Sequence, residues 1–264
     1  MPNWFIYFAT AVSFVLLGTA LFFFTLTRGA LIARALSGRA AHDTTHIYPL
    51  YSNLRLIKLV DFQPMIAAIL LFQYDRLVSL IAAGLRASDL NEQDVMITSC
   101  AFGNVIPRVV DASIEAGVRK VLIVDIIRNE LINAGSKLGA QRDHVEFIEA
   151  NAVATQLADA SVSANVIFFL LHELPHELKR VALQEAVRVL RPGGKLYLAE
   201  FHRPSLPVLR ALSWTYFKVF EPLGLALWST HDPLAQLESM GNLHCERRTV
   251  FFSNFQVIVA TKLA

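Results

Sequence analysis

The sequence is poor in charge and nearly empty of cysteine. Of its 264 residues, 17% are charged and 54% hydrophobic, and the mean hydropathy is +0.44. A soluble domain of average composition carries roughly 25% charged residues, so part of this chain is expected in or on a membrane. A net charge of +2 leaves no basic surplus for phosphates and argues against nucleic acid as a partner. The two cysteines, Cys100 and Cys245, cannot form a framework of bridges; they fit reduced thiols in a reducing compartment.

Charge is missing altogether from Trp4 to Thr27. That run of 24 residues would make a helix about 36 Å long at ~1.5 Å per residue, enough to cross a ~30 Å hydrocarbon core with some tilt. Trp4 and Tyr7 fall where an interfacial aromatic belt would lie. A cleaved signal peptide would carry basic residues before an apolar core of about 7–15 residues; this run has no basic side chain before it and is too long. Residues 1–27 are therefore expected to be a single-pass anchor buried in the lipid bilayer through residues 4–27, with a buried core helix as the alternative. Arg28, Arg34 and Arg39 follow, and no acid precedes Asp43. The positive-inside rule then puts the N-terminus outside and the body in the cytoplasm, at the inner membrane. Residues 28–47 read as a juxtamembrane linker whose arginines either meet anionic headgroups or simply flank the anchor. Residues 48–93 read as a helical cap, with Leu54, Ile57, Val60, Ile66, Ile69, Leu77 and Ile81 near helical spacing. Asp61 is the expected N-cap of a helix opening at Pro64.

From Asp94 the pattern changes. Short apolar runs at 95–100, 120–125, 144–149, 164–171 and 194–201 alternate with helix-length segments, as in a parallel sheet covered on both faces. Two further runs, 243–253 and 254–262, read as an antiparallel pair. The expected fold is a doubly wound, mostly parallel α/β sheet over residues 94–264. Such sheets bind ligands at the carboxyl ends of their strands. Those ends carry Ser99, Cys100, Ala101, Phe102 and Gly103; Asp125; His172 and Glu173; and Glu200 and His202. Asp125, 22 residues beyond Gly103, suits a carboxylate that grips ribose hydroxyls.

RVLRPGGKLYLAEFHRP (188–204) and FFLLHELP (168–175) resemble the class I S-adenosylmethionine-dependent methyltransferases. The resemblance implies a seven-stranded sheet of order 3-2-1-4-5-7-6 and S-adenosylmethionine as cofactor. It places the cofactor across the loop Ser99, Ala101, Phe102, Gly103, with Asp125 on the ribose and Ala150 and Asn151 flanking the adenine. This chain departs from the family at the first loop. The acid expected before the glycines is Ile97, and Ser99 and Ala101 stand at glycine positions. Small side chains still let a ligand approach the backbone closely, but the carboxylate that meets the methionine amino group is absent.

SCAFG (99–103), FFLLHELP (168–175), EFHRP (200–204) and EPLGLALW (221–228) together are similar to the rhodoquinone biosynthesis protein RquA and its methyltransferase-like relatives. That narrower resemblance implies a prenylated quinone substrate, exchange of a methoxy for an amino group with S-adenosylmethionine as donor, and a requirement for manganese (Mn2+). Phe72, where a small residue is expected, and the N-terminal anchor depart from it.

His172-Glu173-Leu174-Pro175-His176 matches the H-E-x-x-H zinc signature, but Pro175 cannot sit inside the helix that signature needs. His172, Glu173 and His202, at the ends of adjacent strands, are the expected catalytic residues. Two imidazoles and a carboxylate suit either a divalent metal or proton transfer at a quinone oxygen; the bland alternative is capping and turn hydrogen bonds. Glu200 is expected as their supporting carboxylate or as a partner of Arg203. Residues 205–229 read as an apolar helical segment, a lid for a prenyl chain or a plain core helix. Trp228 on it, with Tyr48 and Tyr51 in the cap, are the expected substrate contacts. Cys100 has no basic neighbour to lower its pKa and reads as a small buried residue. Two functions follow: a membrane-anchored transferase modifying a quinone, or an inactive methyltransferase fold retained as an accessory subunit of a membrane complex.

Overall fold

The computed structural model describes residues 3–23, 51 and 53–263. The chain divides into two units, residues 1–45 and 46–264. In the first, helix α1 (Asn3–Phe23) runs unbroken for 21 residues without a charged side chain. The arginines at 28, 34 and 39 lie outside the described residues, as does Tyr48. No single described helix passes as a membrane span by length and hydropathy together, so the anchor assignment for residues 4–27 rests on the sequence.

The second unit begins with three helices: α2 (Leu54–Val60), α3 (Gln63–Ile69) and α4 (Tyr74–Arg86). Asn53 caps α2, its side chain accepting the Arg55 N–H. Asp61 does not cap α3. Its backbone closes α2, Phe62 precedes α3 without a side-chain bond, and Pro64 stands in the first turn. The physical reason is that the Asp61 carboxylate is drawn off into the site described below. Helix α4 buries Tyr74, Leu77, Val78, Ile81 and Leu85 against the sheet. It is a core helix, and with α3 it forms a bend of 95°.

The sheet follows in the order β1 (Asp94–Thr98), α5 (Val105–Glu115), β2 (Lys120–Asp125), α6 (Arg128–Ser136), β3 (Val145–Glu149), β4 (Val162–Phe168), α7 (His176–Arg188), β5 (Leu190–Phe201), α8 (Pro207–Phe220), α9 (Pro233–Glu238), β6 (Leu243–Val250) and β7 (Phe255–Lys262). Seven strands pair as β3-β2-β1-β4-β5-β7-β6. The first five are parallel and β7 is antiparallel to both its neighbours. β1 and β4 are buried along nearly their whole length, which is why they read as continuous apolar runs. Because the strand order reverses between β1 and β4, the carboxyl ends of β1, β2, β4 and β5 open onto one crevice.

Candidate active site

The loop after β1 is shaped for a ligand but held by its own protein. Ser99 has φ +77° and Gly103 φ +83°. Both backbones are left-handed, as where alternating glycines would stand, and Ser99 holds the shape despite its side chain. A Cβ on Gly103 would lie 2.5 Å from the Tyr74 hydroxyl and 2.7 Å from Gln63 Oε1, so only glycine fits there. The Asp125 carboxylate accepts the Cys100 N–H at 2.6 Å and the Ile127 N–H at 2.8 Å, with the side chains of Cys100 and Ser99 adding to its bonds. Burial raises its pKa against these bonds. Cys100 is buried, and burial with Asp125 nearby pushes its thiol well up; it is no nucleophile. Ala150 is buried and its N–H meets the Asp125 carbonyl, while Asn151 is exposed and turns its side chain to the Val153 N–H.

The cap closes on this loop. Asp61 accepts the Gly103 N–H, the Asn133 amide at 2.7 Å and the Lys137 ammonium at 2.6 Å. Lys137 also reaches the Gly103 carbonyl at 2.9 Å. Gln63 accepts the Asn104 N–H and Tyr74 donates to the Phe102 carbonyl. Tyr51 stacks on Phe102 with ring centroids 6.1 Å apart, and its hydroxyl reaches Glu173 Oε1 at 3.3 Å. Tyr51 thus bridges the loop after β1 and the β4 end.

At the ends of β4 and β5 the sequence expectation is half met. His172 is buried, with Nδ1 3.2 Å from Glu200 Oε1. Glu200 has no exposed surface and also accepts the backbone N–H groups of His172 and Phe201; it supports His172 and is not a partner of Arg203. On the other side of the ring, His172 Nε2 lies 3.9 Å from Glu173 Oε1. His202 does not join them. Its ring bonds the Ser253 carbonyl at 2.8 Å and faces Arg247, itself paired with Asp232. The β6–β7 turn draws His202 away from the β4 end.

The place expected for His202 is taken by Glu221, whose position after α8 brings its buried carboxylate to the site. Ligand atoms of His172, Glu173 and Glu221 all lie within 4.8 Å of one another. One imidazole and two carboxylates fit a divalent cation such as Mn2+, and Glu200 on Nδ1 fixes the tautomer that presents Nε2 to it, the usual support for a metal-bound histidine. Burial pushes the His172 imidazole down, but Glu200, Glu221 and Glu173 outweigh it and hold the pKa at about 9. Lys179 is buried close by, donates to the Leu171 and Leu174 carbonyls, and is lowered to about 8, chiefly by burial. Helix α7 opens at His176 behind Pro175, so His172 and His176 do not share a helix and the zinc-protease arrangement is absent.

Aromatic rings enclose His172. Phe201 meets it edge-on at 5.0 Å and Phe169 at 6.2 Å, and Phe217 packs between Phe201 and Trp228. Trp228 is half-buried in this wall, separated from His172 by the rings of Phe201 and Phe217. Gly224 makes the wall possible: a Cβ there would strike Phe217 at 2.4 Å and approach His172 at 3.3 Å. A cavity of about 510 Å³ lined by Asn91, Gln93, Ser163, Arg191 and Lys195 lies at the amino ends of β1, β4 and β5, away from this chemistry.

Sequence reasoning missed Asp61 as a partner of the loop after β1, passed over the buried acid Glu130 and left Glu221 on a lid. Glu130 was legible as an acid on the buried face of α6, beside Leu131 and Ala134.

The likeness to known proteins falls on this same region. The chain is 37% identical over 140 residues to a ubiquinone/menaquinone biosynthesis C-methyltransferase UbiE of Brucella abortus, covering 51% of this chain and 50% of the relative. It is 34% identical over 122 residues to the protein of that name in Brucella anthropi, covering 44% of each. The chain thus spans about half the length of the curated relatives it matches. Among solved structures, an O-methyltransferase family protein from Burkholderia thailandensis superposes with TM-score 0.62 at 16% identity, over 81% of this chain and 62% of that one. A SAM-dependent methyltransferase from Aquifex aeolicus gives 0.53 at 18% identity, over 80% and 99%. These likenesses show the fold. The model of the ubiE/COQ5 methyltransferase family matches residues 62–234, and the chain belongs to that family.

Proposed function

We propose that this protein is a membrane-anchored methyltransferase that binds S-adenosylmethionine and methylates the ring of a prenylated quinone in its reduced form. The observation that carries the reading is the juxtaposition, in one crevice, of the Asp125-braced loop and the buried His172–Glu200 pair. Residues 4–27 anchor the chain with its body on the cytoplasmic side. The apolar run supports this, as do the exposed Phe14, Leu16 and Leu17 of α1. A lipid substrate is supported by α8 and its approach, which leave Leu206, Val208, Leu212 and Trp214 exposed.

When bound, S-adenosylmethionine supplies an electrophilic methyl group. Asp125 holds the ribose, and Ala150 and Asn151 border the adenine. The chain need only set the ring carbon in line with the methyl. Phe169, Phe201 and Tyr51 frame the ring. Glu173 would take the proton of the ring hydroxyl as the carbon–methyl bond forms and the methyl–sulfur bond breaks. The hydrogen displaced from that ring carbon would return as a proton to the oxygen, and the His172 imidazolium, charged below about pH 9, would stabilise the oxygen while it is negative.

A second reading, RquA-like amino transfer with manganese, is favoured by Ile97 in place of the acid and by the His172–Glu173–Glu221 cluster. Calorimetry of the folded protein with S-adenosylmethionine tests the shared foundation: heat of binding is expected. No heat at millimolar cofactor would overturn both readings and leave an inactive accessory subunit.

A further inference from the structure

Helix α6 and the residue that caps its C-terminus carry a polar stripe: Glu130, Asn133 and Lys137. Asn133 and Lys137 are spent on Asp61. Glu130 is not. It is 2% exposed, and its Oε1 has no hydrogen-bond partner among the described residues. A buried carboxyl oxygen without a donor is costly and calls for an explanation.

The charges around Glu130 supply one. Asp125, Asp61 and Glu173 act on it electrostatically, and Lys137 is the one cation among those contributors. Burial and these acids push its own pKa up to about 9. Its field is felt at Cys100 in the loop after β1. Glu173 ties the same pocket to the end of β4. Three acids against one lysine leave the pocket short of positive charge. A neutral hydroxyl would satisfy the oxygen but not the charge; an ammonium does both.

Resting on the cofactor reading above, we propose that Glu130 receives the α-ammonium group of S-adenosylmethionine, supplying from α6 the carboxylate that position 97 lacks. The amine is thereby fixed to the protein and the methyl is left as the group to transfer. The inference thus deepens the methyltransferase reading and weighs against donation of the amine.

The test is calorimetry on wild type, Glu130→Gln and Glu130→Met with three probes. S-adenosylmethionine and S-adenosylhomocysteine carry the ammonium; 5′-methylthioadenosine does not. Loss of one charge-assisted bond predicts affinity for the first two falling at least about tenfold, with 5′-methylthioadenosine unchanged. A thermal melt confirms that the variants are folded, and the apolar Glu130→Met guards against a defect peculiar to the amide. Equal weakening of all three probes would overturn the proposal, as would no weakening in folded variants. Wild type that binds none of the probes would instead overturn the cofactor reading itself, and this inference with it.

Discussion

The Asp61 carboxylate accepts the backbone N–H of Gly103, 42 residues further along the chain. Through that bond and the Lys137 pair, the helical cap fixes the shape of the cofactor loop. Asp61→Ala would leave Lys137 and Asn133 without their partner in a mostly buried setting. Breaking such a pair from one side costs about 3 kcal/mol. We expect the melting temperature to fall and limited proteolysis to open the chain between the cap and β1.

Gly103 and Ser99 make opposite predictions. Gly103→Ala places a methyl against Tyr74 at φ +83° and should abolish cofactor binding or folding. Ser99→Gly relieves a left-handed backbone worth about 1 kcal/mol at φ +77°. Its hydroxyl bond to Asp125 offsets part of that gain. A small rise in denaturant midpoint is expected, with no rise expected for Ser136→Gly, which lies inside α6.

Glu130 sets a pH dependence. Its folded pKa, about 9, is raised above the ordinary 4.5. With no ammonium bound, a carboxyl shifted this way stays protonated in the fold while the unfolded chain ionises. Stability is therefore undiminished by it below about pH 4.5 and falls as pH rises toward 9. Near pH 7.5 this amounts to roughly 2–4 kcal/mol. Glu130→Gln should melt higher than wild type at pH 8 and equally at pH 4.5, while binding cofactor less well, as residues kept for function often do.

On the second reading, in which Mn2+ displaces the proton that His172 otherwise holds, the His172–Glu173–Glu221 cluster predicts a metal response. Mn2+ titrated into the protein should lose its free-ion paramagnetic resonance signal with wild type. Glu221→Gln should weaken that binding about 10-fold or more, on the scale of losing one charged ligand. His202→Gln should leave it unchanged, because His202 is committed to Ser253 and Arg247.

Much of the fold was legible because strand burial and helix amphipathicity are local. The runs at 95–100, 120–125, 164–171 and 194–201 announced β1, β2, β4 and β5, although β5 begins earlier, at Leu190. The site was legible only where it follows strand ends, as at Asp125, His172 and Glu173. Asp61 was misread as a cap because capping is the local use of an aspartate before Pro64; its actual partners, Gly103 and Lys137, are brought to it by tertiary packing. Glu221 and His202 exchanged roles for the same reason. The distance of each from β4 depends on how α8 and the β6–β7 turn fold back, which no periodicity encodes.

The account turns on transfer to a quinone. The direct measurement is mass spectrometry of quinones from vesicles holding the full chain, a reduced prenylated quinone precursor and S-adenosylmethionine labelled at its methyl carbon. The account predicts a quinone heavier by one labelled methyl, and its loss with Asp125→Ala. A methoxy-to-amine exchange without label, or an unaltered quinone in the presence of bound cofactor, would contradict it.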